Sequence, residues 1–305
     1  MTAKRLGLAG ALLIIVFGCC AAKDPVVSVI LSSDMVYYKD VAGAFKMYFA
    51  DKGTSISINE YSLKAQGEAE IVSGISSEKP DLLLTVGEGA LKTAKEQLKG
   101  IPTVFVMVFD AKTMIDDNTT GILLDISPEM KLSGIKKILP GAKTIGMLYS
   151  PASTASYDEF KAECDKRGIT LKAKIVNADA EFTGALNSVF AGSDCFLVIL
   201  DPKLYFSQTL KFLLLESLKQ KVPVIGLSSF YTKAGAVASF ECDYKDLGRQ
   251  AGEISAKILG GEKASVNKPV HPRKFRYSLN LMTAERIGVT IPGGVINEAA
   301  EVIDK

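Results

Sequence analysis

The chain has 305 residues, 48% of them hydrophobic, and its 36 Lys and Arg residues against 34 Asp and Glu residues give a formal net charge of +2. A chain of this length and apolar content can bury a large core and exceeds the usual size of one domain, so we expect two domains. So small a net charge provides no cationic field, which argues against nucleic acid and an anionic membrane surface as partners.

The N-terminus has the pattern of an export signal. Lys4 and Arg5 precede an apolar run from Leu6 to Phe17, which is too short to span a hydrocarbon core of ~30 Å. We therefore predict a secretory signal over residues 1–18. Its end, Val16-Phe17-Gly18-Cys19, resembles the bacterial lipoprotein signal, which implies that Cys19 becomes a lipid anchor in the bacterial membrane, facing the periplasm or the cell exterior. A plain signal peptide, or an uncleaved anchor ending in a chance cysteine pair, is the alternative.

The exported chain is predicted to be formally neutral. Loss of the two cations in the signal lowers the 36 basic residues to 34, equal to the 34 acidic ones. The three cysteines that remain in the body, Cys164, Cys195 and Cys242, are odd in number, which favours buried free thiols over a disulfide framework. The single His271 and the lack of a CxxC pair or HExxH motif argue against a transition-metal site. We expect no metal and no cofactor.

From Val26 onward, short β-branched runs alternate with amphipathic stretches of helical length. Continuous apolar runs bounded by turn residues are typical of strands covered on both faces, and helices between them indicate βαβ units with a parallel sheet. The predicted strands, in chain order, are Val26–Leu31, Ser55–Tyr61, Asp81–Val86, Thr103–Val108, Thr144–Tyr149, Thr170–Val176, Cys195–Leu200, Val222–Leu227 and Ala236–Cys242.

The two halves of this pattern are similar to each other. The run from Val26 leads into a helix ending at Gly53 and then a strand, and the run from Thr144 leads into a helix ending at Gly168 and then a strand. Such glycines are generic helix stops, but the shared order of the segments favours two similar lobes. We therefore predict an α/β fold with two doubly wound, Rossmann-like lobes that have parallel sheets and are joined by a crossover hinge.

Segments spread along the chain match one family of binding proteins in their order and spacing. They are Lys79–Val86, Ile101–Asp110, Asn118–Gly121, Ile138–Gly146, Ala234–Ala236, Asp243–Gln250, Lys257–Glu262, and a tail with Asn280, Ala284 and Ile287-Gly288. By these segments the chain resembles the substrate-binding lipoproteins of ABC importers, in the family whose characterised members bind tryptophan or other aromatic amino acids. The resemblance covers nearly all of the chain after the signal.

This resemblance implies the periplasmic binding protein type 1 fold, with residues 24–125 and 243–265 in lobe 1 and residues 126–242 and 266–305 in lobe 2. It implies a monomer that binds a small amine-bearing or aromatic ligand between the lobes and passes it to ABC permease subunits. An extracytoplasmic ligand sensor that feeds a receptor kinase or chemoreceptor is the alternative. An enzyme has little support, because one histidine and no Gly-x-Ser-x-Gly elbow leave no catalytic residue to assign.

The candidate ligand-binding residues follow the strands, since ligands of open α/β sheets bind at the carboxyl ends. Acidic side chains, but no arginine, occupy these ends, and a buried carboxylate needs a cation or hydrogen-bond donors. An ammonium group of the ligand would satisfy these acidic side chains. The serines and turn N–H groups at the same strand ends would bind a carboxylate of the ligand. The alternative is that the acids cap helices or interact with helix dipoles. The predicted set is Ser32, Ser33, Asp34, Gly87, Glu88, Gly89, Phe109, Asp110, Ser150, Ser153, Asp201, Ser229, Phe230 and Asp243.

Aromatic residues near the same edges provide stacking surfaces for an aromatic ring, or a cage for a quaternary ammonium. Most aromatic residues at helical spacing belong to the core, so we expect only two or three to touch the ligand. Glu241 and Asp243 stand at the last predicted crossover. The aromatic candidates are Tyr37, Tyr38, Phe109, Tyr205, Phe206, Phe230 and Tyr231.

Overall fold

The computed structural model of the protein describes residues 23–109, 111 and 114–304. The predicted signal, Cys19 and Asp110 lie outside the described residues. Within the described part, no helix combines the length and the apolar character needed to cross a membrane. This part of the chain is organised around two β-sheets flanked by helices.

The first sheet is parallel throughout and has the strand order β2-β1-β3-β4-β5. Every residue of β3 and β4 is buried, as expected for strands that helices cover on both faces. Its elements are β1 (Val26–Leu31), α1 (Val36–Asp51), β2 (Ser57–Ser62), α2 (Glu68–Glu78), β3 (Leu82–Val86), α3 (Glu88–Gln97), β4 (Thr103–Val108) and β5 (Thr119–Leu123).

The second sheet begins with the same order of strands. Its order is β7-β6-β8-β9-β10-β11-β12, in which β11 runs antiparallel to β10 and the other pairs are parallel. Its strands are β6 (Thr144–Tyr149), β7 (Thr170–Ile175), β8 (Cys195–Leu197), β9 (Val224–Gly226), β10 (Ala238–Cys242), β11 (Phe275–Asn280) and β12 (Glu301–Ile303). The helices that follow the first sheet in the chain are α4 (Pro128–Ile138), α5 (Thr154–Lys166), α6 (Phe182–Phe190), α7 (Ser207–Gln220), α8 (Ser229–Ala234), α9 (Tyr244–Leu259), α10 (Leu281–Ile287) and α11 (Gly293–Asn297).

The predicted α/β class with two parallel-sheet lobes is confirmed, and each of the predicted runs contains a strand. The strands β5, β11 and β12 were not predicted. In β5 the sequence Thr119-Thr-Gly-Ile-Leu123 has a glycine at its centre and resembles a turn. The close strand pairing requires that glycine, because a Cβ on Gly121 would lie 2.0 Å from the carbonyl oxygen of Phe105 in β4.

Within the described residues the chain crosses between the sheets after β5, after β10 and before β11. The segment before β11 remains beside the first sheet as far as Val270, which forms a parallel bridge with Ile122. The Val270 N–H donates to the Gly121 carbonyl at 3.0 Å, and the Leu123 N–H donates to the Val270 carbonyl at 2.9 Å. The predicted boundary between residues 265 and 266 is therefore too early, because the chain leaves the first sheet only after Val270.

Helix α9 packs on the first sheet although it follows a strand of the second. Its closest contact is with α1, where the helix axes approach at two glycines of α9. A Cβ on Gly248 would lie 2.2 Å from the Val41 carbonyl oxygen, and a Cβ on Gly252 would lie 2.5 Å from the Tyr48 ring. Because these glycines allow α9 to pack closely on α1, the chain after the second crossing is held against the first lobe.

We expect Gly248→Ala to lower the free energy of unfolding by about 1–3 kcal/mol, because the added methyl group must push α1 and α9 apart. Gly43→Ala, in the interior of α1, is the control, since apart from its chain neighbours and its own helix backbone no described atom lies within 4 Å of the Cβ it would add. It should stabilise the protein by about 0.4–1 kcal/mol. Denaturant unfolding of both variants measures the difference, and equal stabilities would contradict the close helix packing.

Candidate functional site

A cavity of about 390 Å³ lies between the two sheets, at the carboxyl ends of their strands. The starts of α1 and α9 form one wall, the ends of β8 and β9 form the other, and the crossings after β5 and β10 connect them. We name it the central cavity. It is lined by Tyr37, Tyr38, Met107, Leu124, Asp125, Ile126, Lys131, Leu197, Val198, Leu200, Gly226, Leu227, Ser228, Tyr231, Phe240, Glu241, Cys242 and Tyr244.

Tyrosine side chains from both lobes line the central cavity. On the first-sheet side, the Tyr37 ring stacks on Tyr244 with centroids 5.4 Å apart and lies 5.0 Å from the Tyr38 ring. Tyr231 lines the opposite side. Burial raises the pKa of Tyr38, Tyr231 and Tyr244, and for Tyr244 the neighbouring Cys242 and Glu241 raise it further. These hydroxyls therefore stay protonated at neutral pH and can donate hydrogen bonds.

A buried ion pair stands where the first crossing enters α4. The Lys131 Nζ lies 2.6 Å from one Asp125 oxygen and 2.8 Å from the other, and the Lys131 side chain is only 6% exposed. Lys131 shares the buried stripe of α4 with Ile135 and Ile138. A lysine in that position needs a carboxylate beside it, so loss of either partner would leave an unpaired buried charge.

Glu241 is the third charged residue that lines the central cavity. It is the second-to-last residue of β10 and lies opposite Arg276 of β11, and the Arg276 Nη2 lies 3.4 Å from the Glu241 Oε1. The Glu241 side chain is 15% exposed, whereas that of Arg276 is 46% exposed. The contact reaches one carboxylate oxygen and, at 3.4 Å, is longer than a strong charge-assisted hydrogen bond.

Met107 has a backbone conformation that is rare for a residue with a side chain. Its φ is +61°, at the point where the β4–β5 register shifts between Val106 and Val108. The bulge turns the Met107 side chain into the lining of the central cavity. Left-handed backbone in a non-glycine residue costs about 1–3 kcal/mol and is concentrated at functional sites.

The structure brings together some of the predicted residues from the first lobe. The Ser32 Oγ accepts a hydrogen bond from the Ala90 N–H at 2.8 Å. Gly87 has a φ of +93°, and a Cβ there would lie 2.7 Å from both the Ser32 Oγ and the Tyr38 ring. Ser32 and Gly87 therefore pack together behind Tyr38 and do not line the central cavity. Glu88 and Gly89 begin α3 and are exposed.

Ser33 and Asp34 are used in local contacts before α1. The Ser33 Oγ accepts a long hydrogen bond of 3.4 Å from the Met35 N–H, and the Asp34 carboxylate lies 3.8 Å from the Lys39 ammonium. Asp34 and Lys39 are both well exposed, so this pair contributes little to stability.

Ser150, Ser153 and Asp201 form a second cluster, in which the Asp201 carboxylate is surrounded by donors. One of its oxygens accepts from the Ser153 hydroxyl at 2.5 Å and the Ser150 N–H at 3.0 Å. The other accepts from the backbone N–H groups of Lys203 and Leu204 at 3.0 and 3.3 Å. Burial alone would raise the pKa of Asp201, but these hydrogen bonds outweigh it and lower the pKa. The arrangement favours a turn anchor over an ammonium-binding group.

We expect Asp201→Ala to lower the free energy of unfolding by about 2–4 kcal/mol, because several buried donors would lose their acceptor. Asp34→Ala is the control and should change stability little, since Asp34 is exposed. Folding lowers the pKa of Asp201. The ionised carboxylate therefore contributes fully to the free energy of unfolding above its pKa in the unfolded chain, about 3.9, and this contribution disappears as the pH falls through its pKa in the folded protein. The difference between wild type and Asp201→Ala should therefore shrink below about pH 4. Urea unfolding across pH measures it, and a pH-independent difference would contradict the anchoring role.

The remaining predicted residues lie away from the central cavity. Phe109 lines a second cavity of about 350 Å³, which also contains His271 and shares Asp125 with the first. Ser229 and Phe230 begin α8, and Phe230 is 65% exposed beside a groove formed by α7 and α8. The Asp243 carboxylate caps α9 by accepting from the Asp246 N–H at 3.1 Å.

Several residues of the central cavity were not predicted from the sequence, above all Lys131, Met107 and Tyr244. Lys131 had a readable signal, since it falls on the apolar stripe of an amphipathic helix where lysine is rare. No sequence signal marks Met107 or Tyr244, because the position of Met107 depends on a strand bulge and that of Tyr244 on the return of α9 to the first sheet.

Comparisons with known proteins place this geometry in a family. Residues 26–303 match the family described as ABC transporter substrate binding protein. A curated relative, the tyrosine-binding protein of Clostridioides difficile strain R20291, is 25% identical over 203 residues. The matched region is 63% of this chain and 58% of the relative, so the chain spans less than two thirds of that protein.

Solved structures with low sequence identity share the fold. A ligand-free, open substrate-binding protein with adhesive properties from Clostridium difficile has a TM-score of 0.73 at 20% identity, covering 92% of this chain and 100% of that one. A Streptococcus pneumonia domain in complex with L-Trp has a TM-score of 0.60 at 21% identity, with the same coverage. The fold is that of type 1 periplasmic binding proteins. The match over nearly all described residues means that this chain belongs to the ABC transporter substrate-binding protein family.

Proposed function

We propose that the protein is an extracytoplasmic lipoprotein that binds an aromatic, amine-bearing ligand of amino-acid size in the central cavity and delivers it to an ABC permease. The observation that carries this proposal is the tyrosine-lined cavity between two parallel sheets. Its volume of about 390 Å³ is within the range of ~300–1,000 Å³ that is usual for small-molecule sites.

The aromatic character of the ligand is supported by the walls of the cavity. Tyr37, Tyr38 and Tyr244 form a continuous aromatic surface on one side, and Tyr231 and Phe240 lie on the other. An aromatic ring held between such surfaces gains about 0.5–1.5 kcal/mol per aromatic pair beyond simple burial. The names of the relatives agree, since one is a tyrosine-binding protein and another was solved with L-Trp.

The position of the cavity supports a binding cycle with closure. Its walls belong to different sheets, and the sheets are connected by narrow crossings. A ligand that contacts both walls stabilises the closed arrangement more than the open one, which shifts the population toward closure. A permease that recognises the closed form would then accept only the loaded protein, and a monomer suffices for this cycle.

We expect Tyr231→Ala to weaken binding of L-tyrosine and L-tryptophan by at least about 10-fold, because it removes one aromatic wall of the cavity. Phe230→Ala is the matched control, since Phe230 is the adjacent residue of α8, is 65% exposed and lies outside the central cavity. It should change affinity less than twofold. Isothermal titration below the melting temperature of each variant measures both effects. A larger loss of affinity in Phe230→Ala than in Tyr231→Ala would contradict the proposal and indicate that the ligand binds in the α7–α8 groove.

The lipid anchor is tested separately. We expect Cys19→Ser to release the protein from membranes or to leave its signal unprocessed, because Cys19 is the proposed acylation site. Fractionation of cells and labelling with a fatty-acid analogue measure this outcome. Recovery of the variant in the membrane fraction with a processed, lipid-labelled N-terminus would contradict it.

A further inference from the structure

The charges that line the central cavity do not balance. Among the described lining residues there are two carboxylates, Asp125 and Glu241, and one cation, Lys131. Lys131 contacts both oxygens of Asp125 at 2.6 and 2.8 Å, so this pair is neutral as a unit. The net negative charge of the lining therefore belongs to Glu241.

The partner of Glu241 leaves room for a second cation. Arg276 stands directly opposite Glu241 in the antiparallel β10–β11 pair, contacts one oxygen of its carboxylate at 3.4 Å, and is 46% exposed. Within the described residues, Arg276 is the one cation in contact with this carboxylate. The Glu241 side chain is only 15% exposed, and among the described residues only its Oε1 receives a hydrogen bond, which leaves Oε2 open to a ligand. Such a carboxylate favours a bound cation.

The other acids near the strand ends are committed to protein donors. Asp201 accepts four hydrogen bonds from its own lobe, and Asp243 caps α9. Breaking the Asp125–Lys131 pair to free Asp125 would expose a buried lysine without its partner, which is costly. Glu241 is the carboxylate of the central cavity that a ligand can use without displacing a protein group.

We infer that Glu241 binds the ammonium group of the ligand and makes the central cavity selective for aromatic amines and amino acids over aromatic acids that lack an amine. This inference rests on the proposed function, because it assigns a specificity-determining residue within the same cavity.

The surroundings of Glu241 suit this role. Tyr244 lies three residues further along the chain and stacks with Tyr37, so the ring of the ligand can contact the tyrosine wall of the first lobe. Its ammonium group then reaches Glu241 at the end of β10 in the second sheet. One ligand would thus connect the two lobes by an aromatic contact and a charge-assisted hydrogen bond.

Four probes and three variants test the inference. The probes are L-tyrosine, L-tryptophan, tyramine, which lacks the carboxylate, and 3-(4-hydroxyphenyl)propionate, which lacks the amine. Wild type should bind tyramine and both amino acids, and it should bind the propionate at least about 30-fold more weakly than L-tyrosine. Glu241→Gln should weaken the binding of L-tyrosine and tyramine by at least about 30-fold and leave the affinity for the propionate nearly unchanged.

Two further variants serve as controls. Glu253→Gln removes a carboxylate that pairs with Arg273 and does not line the central cavity, so affinity should stay within twofold. Arg276→Gln removes the cation that competes for Glu241 and should leave amine binding unchanged or tighten it. This variant and the wild-type discrimination between probes remain informative even if Glu241→Gln does not fold.

The outcomes separate the two proposals. Equal L-tyrosine affinity in folded Glu241→Gln and wild type would overturn the role of Glu241 and leave the proposed function standing. Tighter binding of the propionate than of tyramine by wild type, or a loss of amine binding in Arg276→Gln, would also overturn it. Failure of wild type to bind any of the four probes would overturn both.

Discussion

The backbone of Leu124 and Asp125 is the point on which the two-lobed architecture depends, because the chain crossings meet there. The Cys242 thiol of the second crossing donates to the Leu124 carbonyl at 3.1 Å, and the His271 Nδ1–H of the third donates to the Asp125 carbonyl at 2.8 Å. Because these hydrogen bonds join the crossings to one another, the crossings form a single hinge about which the lobes can rotate. Asp125 lines both cavities, so the junction of the crossings is also part of the wall of the candidate binding site.

The ion pair beside this junction explains how a charged hinge can be buried. Asp125 belongs to the crossing, and Lys131 comes from α4 of the second lobe. The third crossing has its own attachment, because Arg273 binds Asp246 of α9 through two nitrogens at 2.8 and 3.2 Å. Each crossing is therefore fixed by polar contacts, and these are directional. Apolar contacts are not directional and would define one hinge geometry less well, so these polar contacts specify the structure more than they stabilise it.

Much of the fold was predictable because strand and helix signals are local. Apolar runs such as Val26–Leu31 and Thr103–Val108 coincide with β1 and β4, and the strand-end rule leads to the edge of the sheets where the central cavity lies. Three of the aromatic residues considered there, Tyr37, Tyr38 and Tyr231, line that cavity. The contacts of the crossings could not be predicted, since those between Leu124 and Cys242, or Asp125 and His271, join residues separated by 118 and 146 positions.

The strand-end acids show why residue type and position alone do not identify a binding group. Asp201 follows β8 and Glu241 is the second-to-last residue of β10, so both lie near the carboxyl ends of strands in the second sheet, yet their surroundings differ. The turn after Asp201 directs two N–H groups at its carboxylate, and the segment after β6 adds the Ser150 N–H and the Ser153 hydroxyl, which satisfies the charge without a ligand. Glu241 is in a ladder with β11, where the neighbouring N–H groups pair with the opposite strand and one exposed arginine is its cation. The difference in available donors, rather than the acid itself, decides which carboxylate remains open to a cationic ligand.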